Sequence, residues 1–480
     1  MNDNDNKNIP ISFVGTHLLK IYNKHNSFEN HFYVYCKQSM LFYARFIALT
    51  IVVITIILTY LLSSKVAIFL CILFILLFIY STIPKYRPKA KEIDKRIAVI
   101  GSGPAGILSC RKLQKRGYRN ITMYGKFDDC QLDTLNIDDV VVDTQACFLH
   151  VGYENSVIKL CKEENFETTI IPSHINNLIG YGGLSNVIKF FFVMIKYFYC
   201  SKDNTMLSMN AEEFAKYHNF TWPFKNIFIN GQLYGYPKDI TAHSAMSWYS
   251  SLNTNLINSD FTAAGGTFIV KKGYMPLFKA IMDRMNITKK ENLVMNVVKT
   301  DEGINIVIDN GDIHKYDSVI VACSPTLLKS PIDQILKSED YRKTRIFISI
   351  YYSKVASDIG VYYNSDVLEN NEYNKITATR CFGKNTKGLY IYGALGYATF
   401  DIDPIELHSL VMRHITVELQ IYWKVTDYNH RWSSTAIKNG KKTLAEGSQG
   451  KDNIWYSTAP FCHWNLDGIY EHVENICERV

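Results

Sequence analysis

The stretch "KRIAVIGSGPAGILSCRKLQKRGYRNITMYGK", residues 95–126, limits what this chain can fold into more than any other. Lys95 to Ile100 is apolar and β-branched, which reads as a buried strand. Pro104 to Arg116 reads as a helix, with Pro at its first position and Gly117 as its stop. Asn120 to Tyr124 reads as a second strand, completing a βαβ unit. Between the first strand and the helix stand Gly101, Gly103 and Gly106 in a G-x-G-x-x-G turn. Gly101 permits the tight turn, Gly103 lets the main chain approach a pyrophosphate, and Gly106 lets the helix lie against the strand. The helix N-terminus turns unpaired N–H groups and a positive dipole end toward that phosphate. Gly101, Ser102, Gly103, Pro104, Ala105 and Gly106 are therefore candidate cofactor-binding residues.

The second half of the motif departs from the pattern. A carboxylate about 20 residues on normally takes the ribose hydroxyls at the end of the second strand. Here that position is Gly125, followed by Lys126. Asp128 and Asp129 come next and are the acids that could substitute from the loop.

A different region explains the net charge of +7. Residues 1–96 hold 12 Lys/Arg and 5 Asp/Glu, which accounts for all of it. The remainder is balanced, so no basic nucleic-acid surface is expected on the main body. Phe46 to Leu62 and Val66 to Ile83 are two apolar runs separated only by Ser63, Ser64 and Lys65. Each is long enough to cross a hydrocarbon core of about 30 Å as a helix. Lys37 and Arg45 precede them, and Lys85, Arg87, Lys89 and Lys91 follow. Basic flanks on both sides put both ends in the cytoplasm and make 46–83 a transmembrane hairpin, with the lipid bilayer as a partner.

Other chemistries lack their signatures. Eleven cysteines are scattered without metal-ligand spacing, which fits buried reduced thiols and no metal site. No H-E-x-x-H, G-x-S-x-G or Walker sequence is present. The segment Asn186 to Cys200, "NVIKFFFVMIKYFYC", reads as an aromatic amphipathic helix, in the core of a substrate lobe or, as the alternative, lying on the membrane.

Three further stretches extend the opening motif. "DDVVVDTQACFLHVGYENSVIKLCKEENF" (138–166) reads as strand, loop and helix. "GGTFIVKKGYMPLFKAIMDRM" (265–285) reads as strand, Gly-Tyr turn and helix. "NLVMNVVKTDEGINIVIDNGDIHKYDSVIVACSP" (292–325) reads as several strands, the last apolar and buried. In that order they resemble the flavin-containing amine oxidase superfamily, including its fatty-acid-isomerase and desaturase-like relatives. The likeness runs from about Lys95 to the C-terminus and is weakest between 330 and 440.

The resemblance implies an α/β fold, in which an FAD-binding Rossmann-like lobe is interleaved with an α+β substrate lobe and follows the two-helix hairpin. The expected division is a tail at 1–45, the hairpin at 46–83, a linker at 84–94 and FAD-lobe segments at 95–180, 265–329 and 441–480. Substrate-lobe segments fill 181–264 and 330–440. The implied activity is oxidation of an amine or other small organic substrate by hydride transfer to FAD. A redox-neutral isomerase on the same cofactor and a non-catalytic membrane-bound scaffold are the alternatives. Val297 or Val298 resembles the position whose backbone meets adenine, and Val298 joins the glycine turn as a cofactor-binding candidate. His150, Tyr153, His463 and Trp464 fall in segments expected near the flavin ring, although no catalytic residue follows from them. Three positions depart from the family: Gly125 replaces the strand-end Glu, Gln145 replaces the glycine of the second motif, and Ser457 with Thr458 replaces the pair at the ribityl chain. The expectation is a non-covalent and loosely held FAD, tightened by Gly125→Glu.

Overall fold

The computed structural model describes residues 92–128, 132–144, 149–150, 156–174, 193, 196, 204–219, 235–246, 266–324, 327–459, 461 and 466–480. The chain divides into two units, residues 1–88 and 89–480, and all described residues belong to the second. The tail at 1–45 and the hairpin at 46–83 lie outside the described residues. Among the described residues, no helix is long and apolar enough to cross a membrane. Of the aromatic segment 186–200, only Val193 and Lys196 are described.

The opening βαβ unit forms as its residues dictate. Strand β1 (Ile97–Ile100) is buried along its whole length, and helix α1 (Pro104–Arg116) follows the glycine turn. Strand β2 (Ile121–Tyr124) runs parallel to β1, with Ile97 opposite Ile121 and Ile100 opposite Tyr124. Gly117 ends α1 at φ 103°, a left-handed conformation that costs glycine little and other residues more.

Five parallel strands lie in the order Ile454–Tyr456, Ser318–Val321, β1, β2 and Thr288–Lys290. The first βαβ unit is central, and the last strand of the chain forms an edge. Gln449 closes that edge: its amide donates to the Tyr456 carbonyl at 2.9 Å and accepts from the Tyr456 N–H at 2.9 Å. The side chain thus occupies groups that an open edge would offer to another strand.

Alternation along the strands sorts the two faces of the sheet. Ala98, Ile100, Val319 and Val321 share a core with Ile304, Ile306 and Ile308 of a small antiparallel sheet built from 294–300, 303–308 and 313–316. Ile97 and Val99 face the other way, where α1 meets the helices Tyr274–Arg284 and Leu466–Arg479. Charge ties this helical layer together. Glu164, 8% exposed, accepts from Arg111 at 2.7 Å and Arg284 at 2.8 Å, and Lys112 pairs with Glu474.

The second layer is an eight-stranded sheet. Its order is 419–432, 341–353, 390–398, 375–384, 360–363, 168–174, 266–270 and 149–150. The last three of these fall inside 95–180 and 265–329, the spans assigned from sequence to the FAD lobe. Apolar runs show that a strand forms, but they do not show which sheet supplies its hydrogen bonds. Likewise, "DDVVVD" opens a hairpin rather than a solitary strand. Strand β3 (Thr134–Ile137) pairs antiparallel with β4 (Val140–Asp143) across Asp138 and Asp139, at φ 45° and 66°. Two adjacent positive φ values are what a tight two-residue turn between twisted strands requires.

Candidate cofactor-binding site

Close approach of backbone to backbone builds the glycine turn. A β-carbon on Gly106 would lie 1.8 Å from the Gly101 carbonyl oxygen, so any side chain there would push α1 off the turn. Gly101 has φ 117°, and a β-carbon on it would lie 2.9 Å from the Ala322 carbonyl carbon and 3.0 Å from the Cys323 nitrogen. The turn is thereby wedged between α1 and the end of the neighbouring strand. Gly103 is the N-cap of α1; no side chain caps the helix, and its first turn holds no acid. Pro104 has no N–H to lose, and the donors that follow it are left for an external anion.

The end of β2, where a ribose-binding acid is expected, is closed by packing. Gly125 has φ 156°, and its N–H donates to the Lys290 carbonyl at 3.1 Å. A β-carbon there would lie 2.6 Å from Ser102 Oγ, 2.8 Å from Ser102 Cβ and 2.9 Å from Ser102 N. Ser102 is 1% exposed, and its hydroxyl donates to the Lys126 carbonyl. The packing opposes the expectation that Gly125→Glu tightens binding: the serine of the glycine turn fills the space that a side chain would need. Lys126 and Asp128 are exposed, and Asp129 lies outside the described residues.

Beneath this strand end lies a buried polar knot. Tyr124 Oη is 2.6 Å from His314 Nδ1 and 2.7 Å from Tyr316 Oη. Lys290 Nζ stands 3.3 Å from His314 Nε2. Burial, reinforced by the Tyr316 hydrogen bond, pushes the Tyr124 phenol far above its usual range and keeps it neutral.

Asp143, the acid of the second motif, has a role that the sequence did not reveal. It accepts from the Tyr274 N–H at 3.1 Å and from the Thr134 hydroxyl, while Thr134 Oγ1 accepts from the Met275 N–H at 3.1 Å. These bonds cap the helix Tyr274–Arg284, whose own N-cap residue, Gly273, has no side chain. Gly273 has φ 88°, and a β-carbon on it would strike Thr134 Cγ2 at 2.2 Å. The hairpin β3–β4 thus clamps the Gly-Tyr turn. Burial raises the Asp143 carboxyl to about 6, against the pull of Thr134 and the Tyr274 N–H.

At the C-terminal edge, the Ser457 N–H donates to the Val321 carbonyl at 2.9 Å. Ser457 Oγ is buried without a hydrogen-bond partner. Val298 is 39% exposed and stands directly opposite Asn305, so the two share a face. Asn305 Oδ1 is a second buried acceptor without a partner. Val297 is 2% exposed, and its N–H is taken by the Lys329 carbonyl at 2.8 Å. His150 lies in a two-residue strand opposite Thr267. Gln145, Tyr153, His463 and Trp464 lie outside the described residues. The described cysteines are free thiols: Cys110, Cys161, Cys381 and Cys477 are buried and Cys323 is half-buried. No cluster of metal-ligating side chains occurs among the described residues.

Neither a protein-family model nor a curated protein sequence matches this chain. Solved structures do. A CLA-producing fatty acid isomerase from P. acnes is 15% identical, with TM-score 0.67, over 81% of this chain and 99% of that one. A wild-type putrescine oxidase bound to putrescine is 12% identical, with TM-score 0.58, over 80% of this chain and 98% of that one. The resemblance drawn from sequence motifs is thus borne out in the fold of residues beyond the N-terminal region.

Proposed function

We propose that this chain is a divergent FAD-dependent oxidoreductase of the flavin amine oxidase type, with a small organic molecule, an amine among the candidates, as substrate. The observation that carries this reading is the uncapped N-terminus of α1 behind a turn where Gly106 admits no side chain. Gly101, Ser102, Gly103, Pro104, Ala105 and Gly106 would hold the pyrophosphate through main-chain N–H groups and the helix dipole. FAD bound there would supply the two-electron acceptor. Ser457 would give its unpartnered hydroxyl to the ribityl side. Val298 and Asn305, which share a face, would meet the adenine, where the orphaned Asn305 oxygen can accept a hydrogen bond from an amine. Asp143 would act indirectly, by holding the Gly273–Tyr274 turn in place.

The fold likeness to a fatty acid isomerase supports a redox-neutral reaction on the same cofactor as a variant of this reading. The packing of Ser102 into the ribose position favours weak retention of the cofactor, and with it the non-catalytic scaffold. The absorbance spectrum of detergent-purified protein separates these readings. Flavin bands that disappear in folded Gly103→Val support the oxidoreductase. Folded protein that takes up no flavin even at millimolar FAD leaves the scaffold. The same proposal holds the protein in a membrane through the hairpin at 46–83 with its main body cytoplasmic, on the strength of the apolar runs and their basic flanks.

A further inference from the structure

Away from the glycine turn, the second unit carries a cavity of about 590 Å³ that is open to solvent. Neither the turn nor Ser457 lines it. Its wall carries five cations, Lys238, Arg342, Lys343, Arg345 and Arg431, against two carboxylates, Glu213 and Asp239. Several of these groups are already engaged, Arg431 and Lys238 among them. Arg345 pairs with Asp427 at 2.8 Å, and Asp239 accepts from the Tyr373 hydroxyl at 2.5 Å. Among the described residues, Arg342 and Lys343 make no ion pair, although salt bridges are common elsewhere on the molecule.

The backbone places both of them on the cavity. Adjacent residues of a regular strand point to opposite faces. The strand Tyr341–Ser353 shifts register against Leu419–Trp432 between Arg342 and Thr344. The extra residue lies on Leu419–Trp432, where two residues face Lys343 alone, and both Arg342 and Lys343 line the cavity. Arg342 also stands directly opposite Arg431, which is 7% exposed and donates to Thr344 Oγ1. Gly235 makes room for that guanidinium, since a β-carbon there would lie 2.5 Å from Arg431 Nη1. Around them the wall also carries Asn210, whose side-chain NH2 is a donor of the kind that oxyanions accept from.

We propose that this cavity binds a small multivalent oxyanion, a molecule carrying phosphoryl groups or clustered carboxylates, at a site independent of the flavin. Arg342 forks onto paired oxygens, while Lys343 and Lys238 act as point charges on either side. Glu213 and Asp239 attract cationic ligands less than the five cations repel them, so the wall as a whole favours anions over amines.

The test is calorimetric titration of the full-length protein in detergent with inorganic pyrophosphate, and separately with citrate. Saturable binding that weakens as salt is raised is expected. Tighter pyrophosphate assigns a phosphoryl ligand, and tighter citrate assigns a polycarboxylate; either supports the site. Arg342→Gln and Lys343→Gln, at exposed positions that leave the fold intact, should each raise the dissociation constant about tenfold, and the double variant about a hundredfold. Lys238→Gln should weaken binding in the same sense. Gly103→Val should leave anion binding unchanged, so loss of flavin and loss of this site are read separately. No saturation with either anion, unchanged affinity in the double variant, or displacement of pyrophosphate by FAD would each overturn the proposal.

Discussion

Placing a side chain on Gly125 tests why the ribose acid is missing. Alanine is the smallest probe. Its β-carbon would meet Ser102 Oγ at 2.6 Å, Ser102 Cβ at 2.8 Å and Ser102 N at 2.9 Å, all inside normal contact. Overpacking of this kind costs about 1–3 kcal/mol. The φ of 156° adds backbone strain of about 1–3 kcal/mol for a residue with a β-carbon. Gly125→Ala should therefore destabilise the protein by about 3 kcal/mol. Ser102→Gly alone loses the hydroxyl bond to the Lys126 carbonyl and adds chain entropy, about 1–2 kcal/mol together. In the double variant, two of the three close contacts disappear and only the Ser102 nitrogen remains. The two changes should then cost about 1–2 kcal/mol less together than separately, a coupling that distant sites do not show. The assay is the midpoint of urea unfolding followed by tryptophan fluorescence, with FAD titration of the folded variants. Gly125→Glu should fold poorly and bind FAD more weakly than the parent protein. If it instead folds normally and tightens FAD, the steric account is wrong and Gly125 is simply a lost ligand.

Stability should also depend on pH through Asp143. Its folded carboxyl titrates at about 6, above the ordinary carboxylate range, so only the folded state keeps the proton between about pH 4 and 6. The contribution is complete below about pH 4 and is lost as pH rises through 6, by about 3 kcal/mol at 1.36 per unit. Asp143→Asn should flatten that part of the stability profile, and an unchanged profile would refute the assignment. Glu164→Ala strips Arg111 and Arg284 of a shared, nearly buried carboxylate and should lower stability by about 3 kcal/mol in the same unfolding assay. Ser457→Ala should leave the apo-protein as stable or about 1 kcal/mol more stable, because the buried hydroxyl has no partner, yet raise the FAD dissociation constant about tenfold. Protease added to sealed vesicles should digest both the segment before residue 46 and the body after 83. Protection of either would sink the hairpin.

The residues between Lys95 and Tyr124 determined their own structure. A β-branched run, three glycines at fixed offsets, a proline at the first helical position and a glycine stop leave the backbone one economical path. Local chemistry also placed the Gly273–Tyr274 turn, the helix after it and the buried strand Ser318–Val321. Partnership was the part that tertiary structure decided. The strands 168–174 and 266–270 carry nothing in their own residues that names a sheet, and only long-range pairing sent them to the eight-stranded one. Asp143 shows no role in the sequence and gains one only when folding sets it against the Tyr274 N–H. Gly125 looked like a deleted acid, because a sequence shows which atom is missing but not which atom has taken its space. Ser102 lies far from it along the chain yet fills that space, since the strand end and the glycine turn converge where five parallel strands terminate.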